Sequence, residues 1–318
     1  MPSKVSRKIA YLILCTWMTC AAATKTPAES SRISIPKPAP LMSSEDHEDV
    51  DRLITNPKMR AETGSKSRFS LSSSLFYSGG SLNQPFGERK PNISGAPGTT
   101  DFPSLGGTVA GKLNINARHS LFGGVGVRWV APLSLHRPTD YSGNIFDADT
   151  PYLTYQYLYR LGGLQSSLQL RESWTTTSDL RRLGYVTSWG ISQYSVYEFG
   201  ASGLSAGFNT WIGLGYFDRD ELQYKALQSD YSWALAPFLE YRLSDRLNLR
   251  LDTNLFVYDH MRSMGNALTF RRQSVTQILS LGWSVTRDIF ISPGISLSLE
   301  RLSLARTTWS VSSSVNLF

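Results

Sequence analysis

Between Gly106 and Leu133 the side chains alternate in character almost residue by residue, and this period of two constrains the fold more than any other feature of the chain. Leu105, Gly107, Val109, Gly111, Leu113 and Ile115 fall on one face of an extended strand, and Gly106, Thr108, Ala110, Lys112, Asn114 and Asn116 on the other. After a turn at Asn116-Ala117-Arg118-His119 the pattern resumes with Leu121, Gly123, Val125, Val127 and Trp129. Two antiparallel strands joined by a tight turn follow. Their apolar face must be covered, either by a second sheet or by hydrocarbon.

The same alternation continues to the C-terminus. It predicts about twelve strands, at 68–79, 103–117, 120–133, 151–161, 163–174, 183–198, 203–217, 230–243, 246–258, 270–285, 288–300 and 305–318. Their connections alternate between short and long, the long ones being 80–102, 134–150, 175–182, 218–229 and 259–269. An up-and-down meander between two different compartments gives this rhythm. Pro237 lacks a backbone donor, so a bulge is expected there, and a second is expected near Ser192–Tyr194, where the apolar phase is lost.

Composition helps to choose between core and lipid. Charged residues make up 18% of the chain, below the roughly 25% of an average soluble protein. The polar strand faces carry Ser, Thr, Asn, Gln and Gly rather than the Lys and Glu that coat soluble sheets; Asn248, Arg250, Asp252 and Asn254 oppose Leu247, Leu249, Leu251 and Thr253. In this reading Phe256 and Tyr258 continue the polar face, and Leu255 and Val257 the apolar one. Aromatic rings gather toward the ends of the apolar faces, among them Trp129, Tyr155, Tyr159, Tyr185, Tyr216, Tyr231, Trp233, Trp283 and Trp309. Rings with one wet and one oily side collect at lipid boundaries. Strands of about ten residues span a bilayer when tilted, and only a closed sheet leaves no backbone group unpaired in hydrocarbon.

The start of the chain reads differently. Lys4, Arg7 and Lys8 precede an apolar run from Ile9 to Thr19 and the small residues Ala21-Ala22-Ala23. This is the pattern of a secretory signal peptide, residues 1–23. Cys15 and Cys20 both lie within it, so the mature chain is expected to hold no disulfide. Residues 24–68 carry five prolines and the acidic cluster Glu45, Asp46, Glu48, Asp49 and Asp51. They are expected to form a flexible periplasmic tail or a plug, with at most a short helix around Val50–Ile54. The net charge of +7 is scattered, with no basic run interleaved with aromatics, so nucleic acid is not an expected partner.

Taken together, residues 69–318 resemble the Gram-negative outer-membrane β-barrel proteins of the porin and channel kind, down to the terminal Phe318. The resemblance implies an all-β fold, a transmembrane antiparallel up-and-down barrel of about twelve strands in the outer membrane. It also implies outer-membrane lipid as a partner, and the barrel assembly machinery as another through Phe318.

Catalytic constellations are sought without success. His47, His119, His136 and His260 do not pair with a strand serine, although Asp259-His260 beside a loop imitates part of an outer-membrane protease site. Asp140, Asn144, Asp147 and Asp149 offer oxygen ligands but lack the EF-hand order. No catalytic residue, metal or cofactor is assigned. The polar faces, turned inward, line a lumen with Lys112, Arg128, Arg160, Arg171, Arg242 and Arg250 against Glu240, Asp252 and Glu300. Glu240, Arg242, Arg250 and Asp252 on neighbouring strands are expected to form a paired ladder. The opposite wall, 274–314, is mostly Ser, Gly and Thr. The expected function is a narrow channel for small polar or anionic solutes with a mild anion preference. A structural or adhesion barrel acting through loops 80–102 and 134–150 is the alternative, and an outer-membrane hydrolase a third.

Overall fold

The computed structural model describes residues 54–63, 67–95, 102–133, 141, 144–220 and 222–317. The signal peptide, the acidic cluster, His47, His136, Asp140 and Phe318 lie outside the described residues. The strands are β1 (Phe69–Ser81), β2 (Ser104–Asn114), β3 (His119–Val130), β4 (Phe146–Leu161), β5 (Leu164–Trp174), β6 (Tyr185–Glu198) and β7 (Leu204–Phe217). They continue with β8 (Ser229–Arg242), β9 (Leu247–Asn254), β10 (Phe256–Met261), β11 (Arg271–Arg272), β12 (Thr276–Ser284), β13 (Ile289–Ser298) and β14 (Thr308–Asn316). Among the described residues three short α-helices accompany them: α1 (Pro57–Thr63), α2 (Ser178–Arg182) and α3 (Leu222–Lys225).

Except for β9 with β10 and β11 with β12, each strand pairs antiparallel with its neighbours in sequence, and β14 returns to pair with β1, Ser72 opposite Asn316. β9 and β10 form one stave interrupted at Leu255, and β11 and β12 another interrupted at 273–275, so fourteen segments make a closed barrel of twelve staves. Closure leaves no sheet edge. The turns at 115–118, 162–163, 199–203, 243–246 and 285–288 share one end of the barrel with Phe69 and Asn316. The longer connections share the other end.

Burial is inverted relative to a soluble protein. Val109, Val125, Val127, Leu249, Leu279 and Leu281 are exposed, whereas Lys112, Gln156, Gln165, Glu240, Arg250 and Thr276 are buried. The apolar faces therefore look outward and the polar faces line the interior. Trp129 and Trp309 sit near the long-loop end of the outer wall, and Tyr197, Tyr241 and Trp283 near the short-turn end. These positions make two aromatic belts. Val125→Arg, near the middle of β3, should cost about 2–4 kcal/mol of stability in bilayers. Denaturant titration of the refolded barrel measures this.

Two local expectations are corrected. First, the phase of the ninth stave inverts at Leu255: Val257 is buried and inward, while Phe256 is exposed on the outer wall. An inserted residue shifts the ladder by one, from Phe238 opposite Asp252 to Leu235 opposite Phe256. Pro237 lies across from this interruption, so its missing donor coincides with the place where the ladder is broken. Second, no irregularity occurs at Ser192–Tyr194. β6 keeps register there and shifts instead between Tyr185 and Thr187, which turns Tyr185 inward to accept a hydrogen bond from the Ser229 amide. The helix expected around Val50–Ile54 falls almost wholly outside the described residues; among these, α1 begins at Pro57.

Glycine is required where the inner wall is crowded. A β-carbon at Gly207 would lie 2.1 Å from the Ser195 carbonyl oxygen and 2.4 Å from the Phe238 ring. Gly207→Ala should therefore force β6, β7 and β8 apart at this level, costing about 1–3 kcal/mol. A lowered transition temperature for the loss of gel mobility on heating is the expected readout.

Candidate channel lumen

Inside the short-turn end, the lumen is crossed by residues 54–63. Pro57 supplies the first helical position of α1, and the side chain of Asn56 caps it, accepting from the Met59 amide at 3.1 Å. The amides of Thr55 and Asn56 donate to Gln165 Oε1 at 2.7 and 3.2 Å. Gln165 Nε2 donates back to Thr55 Oγ1 at 2.8 Å, and that hydroxyl donates to Glu198 Oε2 at 2.8 Å. Asn56 Nδ2 donates to Glu240 Oε1 at 3.2 Å. On the opposite wall Asn316 Nδ2 donates to the Ala61 carbonyl at 2.7 Å. Ile54 and Met59 pack with Leu158, Val196 and Phe238, an apolar cluster inside a polar bore.

Directly against this segment lies a buried charged group on the inner wall. Arg250 donates to both carboxylate oxygens of Asp252, Nε to Oδ2 at 2.8 Å and Nη2 to Oδ1 at 2.6 Å. Its Nη1 reaches Tyr194 Oη at 2.5 Å and Glu240 Oε2 at 3.4 Å. The guanidinium lies 3.7 Å from the Phe238 ring centroid, and Phe238 stacks on Tyr194 with centroids 5.2 Å apart. Arg250 and Glu240 are directly opposite across the β8–β9 ladder, where facing side chains interact.

Arg242 does not join this ladder. It stands at the short-turn rim and faces Glu198, 3.8 Å away. Arg160 is also at that rim, exposed, donating to the Gly162 carbonyl at 3.0 Å. Lys112 is buried on the inner wall, 3.5 Å from Gln156 Oε1 and 5.7 Å from the Phe122 ring centroid. Gln156 extends this polar band to Ser120 and Ser167. Arg171 lies higher, 3.7 Å from the centroid of Tyr152, with Nε donating to Ser173 Oγ at 3.1 Å. Arg128 is near the long-loop mouth, 3.6 Å from Asp147. Glu300 follows β13 at the same mouth, exposed, accepting from Ser274 Oγ at 3.0 Å.

Of the described residues weighed for other chemistry, Asp147, Asp259 and His260 have structural partners. Asp147 accepts from Asn144 Nδ2 and Ser178 Oγ, each at 2.8 Å, which ties the strand to α2. Asp259 and His260 point to opposite faces of β10, as adjacent strand residues do. Asp259 faces the lumen and accepts from Gln273 Nε2 at 2.8 Å. His260 stacks on Tyr231, centroids 4.4 Å apart, beneath the loop carrying Asn266 and Phe270. They do not share a reaction site.

Gln165 and Phe238 line the interior on the faces that the alternation turns inward, whereas Tyr194 and Trp211 line it and escape a reading based on polarity alone. Tyr194 carried a signal: it is the residue at which β6 departs from its outer apolar phase.

No protein-family model matches the chain, and no curated protein matches it. Solved structures do. The COG4313 outer membrane channel from Pseudomonas putida F1 aligns with a TM-score of 0.50 at 9% identity, over 80% of this chain and 97% of that one. The NanC porin aligns at 0.45 and 9% identity, over 77% and 98% of the two chains. The KdgM porin aligns at 0.42 and 8% identity, with the same shares. The likeness to the first shows the fold, a closed antiparallel barrel of the outer-membrane kind.

Proposed function

We propose that this barrel is an outer-membrane channel for small polar solutes, secreted through its N-terminal signal peptide and narrowed at the periplasmic end by residues 54–63. The observation that carries the reading is the inside-out burial, with polar side chains facing a bore and valine and leucine facing outward. Toward the long-loop end a cavity of about 370 Å³ is lined by Arg171, Trp211, Asp259, Gln273 and several serines and glycines. The short-turn end is taken as periplasmic because short turns face that side in barrels of this kind.

A mild anion preference belongs to the same proposal. Arg250 is matched by Glu240 and Asp252, and Arg128 by Asp147. Lys112 and Arg171 stand on the inner wall, with Asp259 facing the same bore, and the preference rests on the field near these two cations. Planar-bilayer recordings in a salt gradient test both parts, on the mature chain and on a form lacking residues 24–63. The expected reversal potential is that of weak anion selectivity, and Lys112→Glu with Arg171→Glu should reverse its sign. A barrel silent in both forms overturns the channel reading; a cation-selective one overturns the preference.

A further inference from the structure

We propose that a notch in the outer wall of the barrel, near the short-turn end, seats an acyl chain of an anionic glycerophospholipid whose headgroup is held by Arg68 and Arg118. The inference rests on the barrel's place in a membrane and not on conduction.

The ladder shows how the notch is made. Across β1 to β4 one outward row runs Leu71, Gly111, Gly123, Leu153. The outward row toward the long loops sets Val109 opposite Val125, and the row toward the short turns sets Leu113 opposite Leu121. Two missing side chains therefore lie side by side within a frame of aliphatic ones. The frame measures ~14 Å across, three ladder steps from Leu71 to Leu153, and ~14 Å along the strands, four residues from Val109 to Leu113.

A glycine on the outer wall does not by itself leave a gap. At Gly107, on the same face of β2, a β-carbon would lie 2.7 Å from Leu75 Cδ2, because that side chain already covers the glycine. At Gly111 a β-carbon would meet nothing within 4 Å, and at Gly123 only ordinary contacts of 3.5 Å with Leu153 and the Tyr152 carbonyl oxygen. The cavity left there, about 460 Å³, is lined chiefly by leucine and glycine and reaches Phe69, which is 67% exposed. Its lining atoms lack partners unless a chain enters, and dispersion favours the chain that fills it. Lipid tails are as apolar as leucine, so shape and charge decide the occupant.

Charge is supplied at the rim. The Arg68 guanidinium lies 5.9 Å from the Phe69 ring centroid, at the short-turn end of the notch. The Arg68 carbonyl accepts from the Asn114 amide at 2.8 Å, and Asn114 Nδ2 donates to the Ser67 carbonyl at 2.7 Å, which fixes the entry to β1 against β2. Arg118 is exposed in the turn between β2 and β3. Among the described residues neither guanidinium has a hydrogen-bond or ion-pair partner. Beside them Tyr155, opposite Leu121, joins its hydroxyl to His119 Nδ1 at 2.5 Å, a ring with its polar tip at headgroup level. Guanidinium groups take phosphate through paired donors, and two cations at the membrane surface favour a lipid of net negative charge over a zwitterionic one.

Native mass spectrometry of the chain from Thr24 onward in detergent, titrated with phosphatidylglycerol and phosphatidylethanolamine of identical acyl chains, tests the site. One phosphatidylglycerol should be retained at least several-fold more strongly than phosphatidylethanolamine. Gly111→Leu, whose side chain enters open space, should reduce that retention at least several-fold, with unchanged mobility of the unheated barrel on gels. Arg68→Gln with Arg118→Gln, at two exposed positions outside the strands, should bring phosphatidylglycerol down to the level of phosphatidylethanolamine. Equal retention of the two lipids by the unaltered chain, or no response to the arginine pair, overturns the headgroup assignment. Undiminished retention of phosphatidylglycerol by a folded Gly111→Leu barrel overturns the notch. A dimer that Gly111→Leu dissolves, with no preferential lipid adduct, makes the notch an interface between copies and overturns the lipid.

Discussion

Removing residues 24–63 from the mature chain should raise single-channel conductance several-fold and steady the open level. The crossing segment is held at both walls, by Gln165 and Glu240 on one side and Asn316 on the other. Ile54 and Met59 fill the remaining bore with side chains that are 0% and 1% exposed. Fully burying such side chains stabilises the docked state by about 1.5–3 kcal/mol each, so brief thermal opening is rare in the intact chain. Asn56→Ala should give an intermediate phenotype. It removes a cap contributing ~1 kcal/mol and a hydrogen bond to a carboxylate contributing about 1.5–3 kcal/mol. Flickering conductance rather than a fixed open level is the expected signature. Unchanged conductance in both variants would show that the segment does not limit the pore.

Arg250→Met should be the most destabilising single substitution in the bore. It leaves Glu240, 4% exposed, and Asp252, 23% exposed, without the cation that bridges them. Breaking a buried pair in this way costs about 3–5 kcal/mol, whereas replacing all its members with neutral groups of similar size is often tolerated. The combination of Glu240→Gln, Arg250→Met and Asp252→Asn should therefore recover most of the loss. Denaturant titrations of the single and triple variants, compared with the unaltered barrel, measure the difference. A single variant as stable as the parent would mean that Glu240 and Asp252 find other partners or ionise differently from the arrangement seen here.

The staves were legible because lipid and water on opposite faces impose a strict period of two, and a twelve-stave count follows from where that period stops and restarts. Where a third kind of surface enters, the period misleads. Tyr194 is inward and aromatic because, like Phe238, it packs against Arg250 and the crossing segment, not against water. Phe256 and Val257 exchange faces because one inserted residue at Leu255 reverses everything after it. The proline content of residues 24–68 argues against structure on average, yet Pro57 sits at the one helical position that needs no amide hydrogen bond, behind an asparagine cap. Gly111 and Gly123 stand on the face that the alternation turns to lipid, but polarity does not tell a gap from a filled wall, and Gly107 on the same face is covered by Leu75. Among the charged residues, Arg250, Glu240 and Asp252 come together as their register requires, while Arg160, Arg242 and Glu300 share the inward parity but stand at the rims.

The most direct measurement is nitroxide accessibility at single cysteines placed along β2 and β3, in a chain starting at Thr24, which has no other cysteine. Labels at Val109, Leu113 and Val125 should collide readily with oxygen dissolved in the bilayer and be shielded from a water-soluble nickel chelate, with labels at Thr108 and Ala110 showing the opposite trend or contact with neither. Labels at Val109, Leu113 and Val125 shielded from both relaxants, as side chains pressed between two protein layers would be, would contradict the barrel's outward-facing apolar wall.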